Sequence, residues 1–407
     1  MRKLLFAVWA LYSAVASATT AERWDVVVVG AGPAGLSAAL EARQAKASVL
    51  VLERAPVPGG TARWASYGML AAAAKPEGEE ALYAAVRQAG GVGLNAELAH
   101  RWVTGALDAV RRLRLLGADL TLTPLRAGEL AAPALGLPVG IEVVRTLWSA
   151  LDAFGVRIRL NHEVTDVGEL KNGVRRITYR DSEGRVRQAS ASAVVVATGL
   201  AAASVGDWEA LKGAWRPVQE ECGRYLSDEK GRALQGWRLG DAVLADTRDA
   251  TVWTARSFDA AERAEGSDYW LVLPASESLA VRQSRRGGMT CESDVSALGQ
   301  RLKWTAELSS AIQKKLPESG SGGASVETKT GYCAMIVHSK TRGKTTGLRI
   351  DTQARILNEK GRALPGLYAV GDVSTGVMGR RSLPGAPLSA AVVFGRLAGA
   401  QAARYVP

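Results

Sequence analysis

The apolar positions near the N-terminus follow the spacing of a strand, a turn, a helix and a second strand. Residues 25–29 have the pattern of a buried strand, residues 35–45 carry helical periodicity, and residues 48–53 form another short apolar run. Strands that alternate with a helix in this way predict a parallel βαβ unit. The glycine-rich residues 30–35 lie at the turn between the first strand and the helix.

The pattern beyond this unit predicts further helices and strands. They are helices over residues 78–118 and 143–154 and strands over residues 156–160, 174–179 and 193–197. From residue 205 to residue 316 tryptophans and charges are interleaved with few clean apolar strands, and a Gly/Ser run follows at residues 318–325. Such a change of texture indicates an inserted segment with a return linker. Extended patterning then resumes at residues 330–357, and a helix rich in small residues is predicted over residues 388–402.

The first residues have the pattern of an export signal. The cationic Met1-Arg2-Lys3 precedes an apolar run over residues 4–16, and small residues follow up to Ala18. This order predicts a signal peptide at residues 1–18. The alternative is a buried first helix or a membrane anchor, but the run is shorter than the roughly 20 residues that a spanning helix needs. We therefore expect an exported protein, in the periplasm or secretory pathway, with no stable membrane span after signal removal.

The overall composition excludes several classes of protein. A chain of 407 residues exceeds what one hydrophobic core usually fills, so an inserted domain is expected. The content of 47% hydrophobic and 22% charged residues argues against intrinsic disorder. The net charge of +11 is compatible with an acidic redox partner or an anionic substrate, but no block of lysines and arginines indicates nucleic-acid binding.

The cysteines and histidines also limit the chemistry. Cys222, Cys291 and Cys333 form no Cys-x-x-Cys and no Cys-x-x-Cys-His motif, which excludes covalent c-type haem and a redox dithiol. One disulfide with one thiol left over and three buried free cysteines are both compatible with this spacing. The three histidines of the chain show no ligand spacing, so no metal site is predicted.

The turn of the βαβ unit satisfies the Gly-x-Gly-x-x-Gly pattern of dinucleotide binding. The first glycine makes the tight turn, the second admits the pyrophosphate, and the third lets the helix approach the strand. Glu53 closes the second strand about twenty residues further on, where a carboxylate accepts hydrogen bonds from the adenosine ribose. The loop supplies Gly30, Gly32, Pro33, Ala34 and Gly35. The alternative is a glycine-rich turn without a ligand.

The segment that follows favours FAD over NAD. Residues 53–69, which read ERAPVPGGTARWASYGM, resemble the stretch after the second strand in the fumarate reductase and succinate dehydrogenase flavoprotein superfamily. That superfamily includes soluble flavocytochrome c fumarate reductases and 3-ketosteroid dehydrogenases. The resemblance implies that this segment wraps the pyrophosphate and one face of the flavin ring. The residues implied here are Arg54, Gly60, Thr61, Ala62 and Gly68.

Three later segments extend the resemblance. Residues 194–199 resemble the family's second FAD strand, and residues 364–372 resemble its C-terminal return, where the match to Asp372 bonds the ribityl chain. Residues 377–395 resemble the segment whose helix N-terminus points at the flavin, so we expect a helix that begins near Leu388 or Ser389. Its positive dipole end would stabilise the anionic reduced flavin. The further FAD-binding residues implied are Val164, Ala197, Thr198, Gly199, Gly371, Asp372, Leu388 and Ser389.

The resemblance implies a Rossmann-like FAD-binding domain with a parallel sheet and βαβ units, within an α/β fold. Its two parts are expected at residues 21–204 and 330–407, with an inserted smaller α+β cap domain at residues 205–329. The family's covalent flavin link uses a histidine, and residues 61–69 contain none, so the FAD should be non-covalent. A second Gly-x-Gly-x-x-Gly is absent, which disfavours a nicotinamide co-substrate.

The chain departs from the family where the substrate would bind. In the fumarate reductases a cap arginine delivers a proton, and a histidine and another arginine grip the substrate carboxylates. Here residues 341–344 contain no histidine, Ser382 stands at the position of the second arginine, and Lys212 and Arg282 are the candidates in the cap. Residues 377–379 are closer to the 3-ketosteroid dehydrogenase version, but its tyrosine is also replaced by Ser382. Neither fumarate nor a steroid is therefore indicated.

Four residues remain candidates for catalysis. Arg380 and Arg381 could hold an anionic substrate by bidentate hydrogen bonds, and their alternative role is in surface ion pairs. Tyr67 and Tyr332 could carry a proton, and their alternative role is packing. The resemblance also implies that Cys333 lies near the ring, where the alternative is a buried inert thiol.

The function expected from these observations is hydride transfer between flavin N5 and a C–C bond of a small substrate. The protein would be an enoate or enone reductase, or would run the reverse dehydrogenase reaction, with a separate cytochrome or quinol as electron carrier. The alternatives are a flavin-bearing electron-transfer subunit with a degenerate cap and an amine or amino-acid oxidase.

Overall fold

The computed structural model describes residues 22–65, 68–125, 127–133, 138–200, 205, 207–227, 243–254, 268–274, 289–316 and 331–405. Its helices are α1 (Pro33–Gln44), α2 (Gly78–Gly90), α3 (Ala96–Leu115), α4 (Val139–Ala153), α5 (Val295–Leu302), α6 (Ala306–Lys315) and α7 (Ala386–Arg404). Its strands are β1 (Glu22–Val29), β2 (Val49–Leu52), β3 (Met69–Ala71), β4 (Thr121–Pro124), β5 (Glu129–Ala132), β6 (Arg157–Arg159), β7 (Glu163–Val167), β8 (Arg175–Arg180), β9 (Val186–Val196), β10 (Trp215–Ser227), β11 (Val243–Asp246), β12 (Val252–Thr254), β13 (Asp268–Pro274), β14 (Thr290–Glu292), β15 (Tyr332–Arg349), β16 (Arg355–Leu357), β17 (Ala363–Ala369) and β18 (Ser374–Thr375).

The first sheet has the strand order β16-β17-β9-β1-β2-β6, and the hairpin β7–β8 is attached to β9. Strands β17, β9, β1, β2 and β6 run parallel, with Val27 opposite Leu50 on one side and Val194 on the other. Val26, Val27 and Val28 are all fully buried, so both faces of β1 are covered, as is usual in a parallel sheet. The predicted α/β fold with a parallel sheet is therefore confirmed.

Helices α1 and α7 pack closely against each other because α7 presents glycines to α1. A Cβ added to Gly395 would lie 2.3 Å from the carbonyl oxygen of Ala34, and one added to Gly399 would lie 2.1 Å from that of Ala38. Any larger residue would push the helices apart. This contact fixes the start of α7 relative to the start of α1.

The single helical pattern predicted over residues 78–118 forms two helices. Helix α2 ends at Gly90, and α3 begins after Asn95, whose Oδ1 accepts the N–H groups of Glu97 and Leu98. Asparagine is a favoured N-cap because its side chain satisfies N–H groups that have no partner within the helix. The glycines between the two helices break the periodicity.

The second sheet has the strand order β10-β15-β13-β11-β12, with β14 and β18 also paired to β15. Helices α5 and α6 cover it, and the core between them contains Val272, Leu298 and Ile312. Strand β15 begins after residue 329, where the sequence predicted the end of the cap domain. It nevertheless pairs with β10 and β13 of this sheet. Its last residues, Leu348 and Arg349, pair with β18. The division into domains stays a prediction.

A small third sheet, β3-β5-β4, lies after the loop that follows β2. Among the helices in the described ranges, none is both long and apolar enough to cross a membrane.

Candidate functional site

The glycine-rich loop between β1 and α1 is built by close backbone approaches. Gly30 has a φ of 108°, and a Cβ added there would lie 2.4 Å from the carbonyl oxygen of Ala197. A Cβ on Gly35 would lie 2.0 Å from the carbonyl oxygen of Gly30. Both positions therefore require glycine, one for the turn and one for the helix–strand contact.

Gly32 differs from the other two glycines of the loop. Its backbone is extended, and a Cβ added to it would meet no atom within 4 Å. It is the N-cap of α1, with Pro33 at the first helical position and Ala34 buried behind it. The space in front of Gly32 is therefore open at a helix N-terminus, where N–H groups and the dipole favour an anion such as a pyrophosphate.

The carboxylate of Glu53 is fixed beside this loop. Its Oε2 accepts the N–H of Ala31 at 2.7 Å, and its Oε1 accepts the N–H of Ala55 at 2.8 Å. Each oxygen keeps a second lone pair that can accept a ribose hydroxyl. The carbonyl oxygen of Glu53 also accepts the N–H of His162, which brings the start of β7 with Val164 to this corner. Arg54 is exposed at the same corner.

The loop after β2 is attached to the same place by its backbone. The N–H of Gly59 donates to Ala31 at 2.8 Å, and residues 60–64 form a short 3₁₀ helix that contains Thr61 and Ala62. A Cβ added to Gly140 in the first turn of α4 would lie 1.7 Å from the carbonyl oxygen of Ala62. Sequence analysis missed Gly140, because nothing near it in the chain indicates a contact with residue 62.

The segment after β9 provides a buried hydroxyl. Ala197 donates its N–H to Val29 at 2.8 Å, and Gly199 has a φ of 64° with open space where a Cβ would be. Thr198 Oγ1 between them is buried and has no hydrogen-bond partner in the described part of the chain. A buried hydroxyl without a partner is uncommon in native structures, so it indicates that a ligand supplies the bond.

The return segment, residues 370–376 after β17, reaches the same cluster. The N–H of Val370 donates to Val196 at 3.0 Å, and a Cβ added to Gly371 would lie 3.1 Å from the Cβ of Ala34. Asp372 follows in a short 3₁₀ turn, and its carbonyl oxygen accepts a hydrogen bond from Lys344 Nζ at 3.0 Å.

Helix α7 begins at Ala386, two residues before the earliest predicted start. The N–H groups of Ala386 and Ser389 donate to the carbonyl oxygens of residues 383 and 385. Pro387 has no N–H, and the N–H of Leu388 has no backbone acceptor among the described residues. One donor of the first turn is thus available to a ligand.

Gly385, the N-cap of α7, connects this helix to β3. Its carbonyl oxygen accepts the N–H of Leu70 at 3.2 Å, and a Cβ on Gly385 would lie 2.9 Å from the carbonyl oxygen of Gly68. Ser389 is fully buried, and its Oγ accepts a hydrogen bond from Trp102 Nε1 at 3.1 Å. Its hydroxyl therefore holds α7 against α3, a contact that sequence analysis missed.

These segments form one cluster that fits a dinucleotide with a flavin. Open space at a helix N-terminus suits the pyrophosphate, a fixed carboxylate suits the ribose, and an unpaired hydroxyl and N–H provide further hydrogen bonds. The predicted residues brought together are Gly30, Gly32, Gly35, Glu53, Ala197, Thr198, Gly371 and Leu388. Their individual contacts with FAD stay predictions.

The predicted catalytic residues are not brought together. Arg380 and Arg381 are exposed, and neither guanidinium has a hydrogen-bond or ion-pair partner in the ranges that the structure describes. The N–H of Arg380 donates to Gly90 at 2.7 Å, so the end of α2 fixes the backbone of this segment. Tyr67 lies outside the described residues.

Tyr332 lies at the first residue of β15, opposite Pro274 and Glu292 in the second sheet. It packs against the core of that sheet. It is twelve positions from Lys344 along the strand, which is roughly 40 Å of extended chain. The structure therefore does not bring Tyr332 to the cluster. Of the cap candidates, Lys212 is exposed and Arg282 lies outside the described residues.

Cys333 forms a disulfide with Cys291, which lies directly opposite it on β14. The reading of Cys333 as a buried inert thiol is therefore wrong, and the one-disulfide alternative is the observed one. Cys333 is also one residue from Tyr332, at the end of β15 remote from Asp372, so the structure does not bring it to the FAD cluster. The side chain of Cys222 lies outside the described residues.

An ion pair that sequence analysis missed lies under the return segment. Lys344 Nζ is 3.0 Å from Glu220 Oε2, and the two side chains are 7% and 3% exposed. The residues are opposite each other on β15 and β10, far apart in the chain, and no local motif marks either of them.

The acid that supports α4 has an altered pKa. Burial acts to raise the pKa of Glu142, but hydrogen bonds from Arg145 and from the N–H of Asp119 outweigh it and leave the pKa below the ordinary value. Glu142 therefore stays ionised near neutral pH in the helix that begins beside Ala62.

The chain is similar to proteins of known activity over most of its length. It matches the FAD binding domain family over residues 25–253 and 218–388. It is 28% identical to a fumarate reductase (cytochrome) from Shewanella frigidimarina, over 94% of this chain and 77% of that protein. It is 26% identical to an NADH:fumarate oxidoreductase from Klebsiella pneumoniae, over 94% of this chain and 48% of that protein.

Solved structures show the same fold. The open conformation of a flavocytochrome c3 fumarate reductase matches with a TM-score of 0.65 and 21% identity, over 98% of this chain and 81% of that one. The 3-ketosteroid-Δ4-(5α)-dehydrogenase of Rhodococcus jostii matches with a TM-score of 0.58 and 19% identity, over 96% and 99%. The chain therefore belongs to the FAD binding domain family, as an FAD-dependent oxidoreductase of the fumarate reductase and succinate dehydrogenase flavoprotein superfamily.

Proposed function

We propose that this protein transfers a hydride between FAD and a carbon of a C–C bond in a small substrate, as an enoate or enone reductase or as the reverse dehydrogenase. The observation that carries the proposal is the convergence of four separate segments on one cluster. They are the glycine-rich loop, the segment after β9, the return segment after β17 and the first turn of α7.

The residues proposed to hold the cofactor divide by the part of FAD they would bind. Gly32 and the start of α1 would bind the pyrophosphate, and Glu53 would bind the adenosine ribose. Leu388 N–H would donate to the flavin ring. When bound, FAD supplies a hydride donor and acceptor at N5. The protein's part is to hold its own groups in place and to bind the substrate.

Arg380 and Arg381 are proposed to bind an anionic substrate. Both guanidinium groups are exposed without a described partner, and a backbone hydrogen bond to Gly90 fixes the segment that carries them. An arginine in this state can form a bidentate pair with a carboxylate. The relatives include fumarate reductases, whose substrate is a dicarboxylate, but Ser382 occupies the place expected for their arginine. We therefore propose a small enoate and not fumarate itself.

The proposed electron carrier and the proposed location rest on the sequence. A reductase without its own haem needs electrons from a separate cytochrome or quinol. The sequence of residues 1–18 supports export. N-terminal sequencing of the mature protein from an expressing cell would begin near residue 19 if the signal is removed, and at residue 1 if this part of the proposal is wrong.

The second candidate is a flavin-bearing electron carrier with a degenerate cap. One observation favours it, namely that Tyr332 lies far along β15 from the FAD cluster. To separate the two, the flavin is reduced with dithionite, excess reductant is removed, and reoxidation is followed anaerobically with a panel of enoates and enones. Acceleration by one of them supports the enzyme, and no acceleration by any of them supports the carrier.

The arginines provide a second test with a matched control. Arg381→Ala should weaken the effect of an anionic acceptor about tenfold without release of FAD, because one charged hydrogen-bonded pair is lost. Arg111→Ala removes another exposed arginine, on α3, and should have no effect. Loss of FAD from the Arg381 variant would instead make that arginine structural.

A further inference from the structure

A buried ion pair joins the second sheet to the segment proposed to hold the flavin. Lys344 Nζ contacts Glu220 Oε2 at 3.0 Å and also donates to the carbonyl oxygens of Asp372 and Ser374. Glu220 Oε1 accepts hydrogen bonds from the hydroxyl of Thr375 and from the N–H of Gly376. The two charges therefore hold the return segment through four separate contacts.

The strand geometry aims Glu220 at this segment. The pairing of β10 with β15 is irregular on both sides of it, between residues 217 and 220 and between residues 221 and 223. Bulges of this kind re-aim side chains and occur next to functional sites. The end of β15 also pairs directly with β18, and a Cβ on Gly347 would lie 3.0 Å from the Cβ of Thr375. The second sheet and the return segment thus meet without a gap.

The energetics of such a pair favour a role beyond stability. Burying two charges costs about as much as their attraction returns, so a buried ion pair by itself adds little to stability. Removing one partner leaves an uncompensated buried charge, and that charge would displace the groups bonded to it. Here those groups are the backbone of Asp372 and the residues that follow it.

We propose that Glu220 and Lys344 are positioning residues that set the geometry of the return segment against the flavin, so that the second sheet and the FAD site act as one unit. The inference rests on the proposed function in one respect, namely that Asp372 lies beside the cofactor. Neither side chain needs to touch the flavin or the substrate for this role.

The test compares FAD affinity and the visible absorption spectrum of the bound flavin among variants of the full chain. Lys344→Met should raise the dissociation constant for FAD about tenfold and shift the flavin spectrum, and Lys344→Arg should restore most of the affinity. The combination of Glu220→Gln with Lys344→Met should cost less than the product of the two single effects, because no lone charge remains.

The matched control is Arg248→Met, which leaves the buried carboxylate of Asp246 without its arginine in the same sheet but away from the return segment. It should lower the melting temperature of the FAD-free protein and leave FAD affinity and the spectrum unchanged. Equal FAD affinity and equal spectra for both methionine variants and the wild type would overturn the inference.

A milder variant keeps the test valid if Lys344→Met does not fold. Thr375→Val keeps the shape of the side chain and removes only the hydroxyl that donates to Glu220. It should raise the FAD dissociation constant about threefold. An unchanged dissociation constant would overturn this inference and leave the proposed function intact. Failure of the wild-type protein itself to take up FAD would overturn the proposed function and this inference together.

Discussion

The glycine-rich loop and the second sheet use different means to build their parts of the site. In the loop, backbone atoms within six residues do the work: Gly30 makes the turn, Gly32 leaves space, and Gly35 lets the helix approach. In the second sheet, side chains meet from neighbouring strands that are far apart in the sequence, as Glu220 and Lys344 do. A local backbone motif can be recognised from the sequence, whereas an ion pair that holds the return segment depends on side chains that only the complete fold brings together.

The largest loss of stability is expected at Gly35, where helix α1 lies against the backbone of the glycine-rich loop. Gly35→Ala places a methyl group 2.0 Å from the carbonyl oxygen of Gly30, and backbone cannot move aside cheaply. We expect a loss of about 4 kcal/mol or more in the free energy of unfolding. Urea unfolding of the FAD-free protein measures it. A loss below about 1 kcal/mol would show that the loop is not held by this contact.

The second largest effect is expected in the second sheet. Replacing Cys291 and Cys333 together by alanine removes a link between residues 42 apart, which should cost about 3 kcal/mol of stability. The disulfide is remote from Asp372, so FAD affinity should stay within about twofold of the wild type. Loss of FAD from this variant would contradict the placement of the disulfide away from the FAD site.

Gly32→Ala should affect the cofactor and spare the fold. Its new methyl group meets no protein atom within 4 Å, so the unfolding free energy of the FAD-free protein should change by less than about 0.5 kcal/mol. The same methyl group would occupy the space of the pyrophosphate, and FAD affinity should fall at least about tenfold, or about 1.4 kcal/mol. Unchanged FAD affinity in a calorimetric titration would place the pyrophosphate elsewhere.

The smallest effect is expected at Glu142, which supports the helix beside the loop. Its pKa is lower in the folded chain than the ordinary 4.5, so the stability it contributes is present above that pH and is lost as the pH falls through the folded pKa. Glu142→Gln should therefore lower stability by about 1 kcal/mol at pH 7 and much less at pH 3. An equal difference at both pH values in denaturant titrations would exclude this ionisation as the cause.

The two regions also differ in how far the sequence predicted them. The α/β fold, the FAD cofactor and the superfamily are confirmed. They could be predicted because the motif that carries them is local, with a steric reason for glycine at positions 30 and 35. Helix α7 begins two residues before its earliest predicted start. The residue that precedes it, Gly385 in a left-handed conformation, is not part of the apolar pattern from which the start was predicted. The cofactor-binding roles of single residues stay predictions.

The rest could not be predicted because it depends on long-range contacts. The Cys291–Cys333 disulfide requires the pairing of β14 with β15, and connectivity cannot be deduced from spacing. Gly140 is needed because its backbone lies against the carbonyl oxygen of Ala62. Ser389 accepts a hydrogen bond from Trp102 on another helix. Residue type alone made Tyr332 a candidate proton carrier, and its place in the second sheet follows only from the register of β15.

A crystal structure of the protein grown with FAD and a small enoate tests the central claim most directly. The account predicts a pyrophosphate in front of Gly32, a ribose at the carboxylate of Glu53, and a flavin ring near the N–H of Leu388 with the enoate on its open face. FAD bound away from the glycine-rich loop, or crystals that take up no FAD at all, would contradict it.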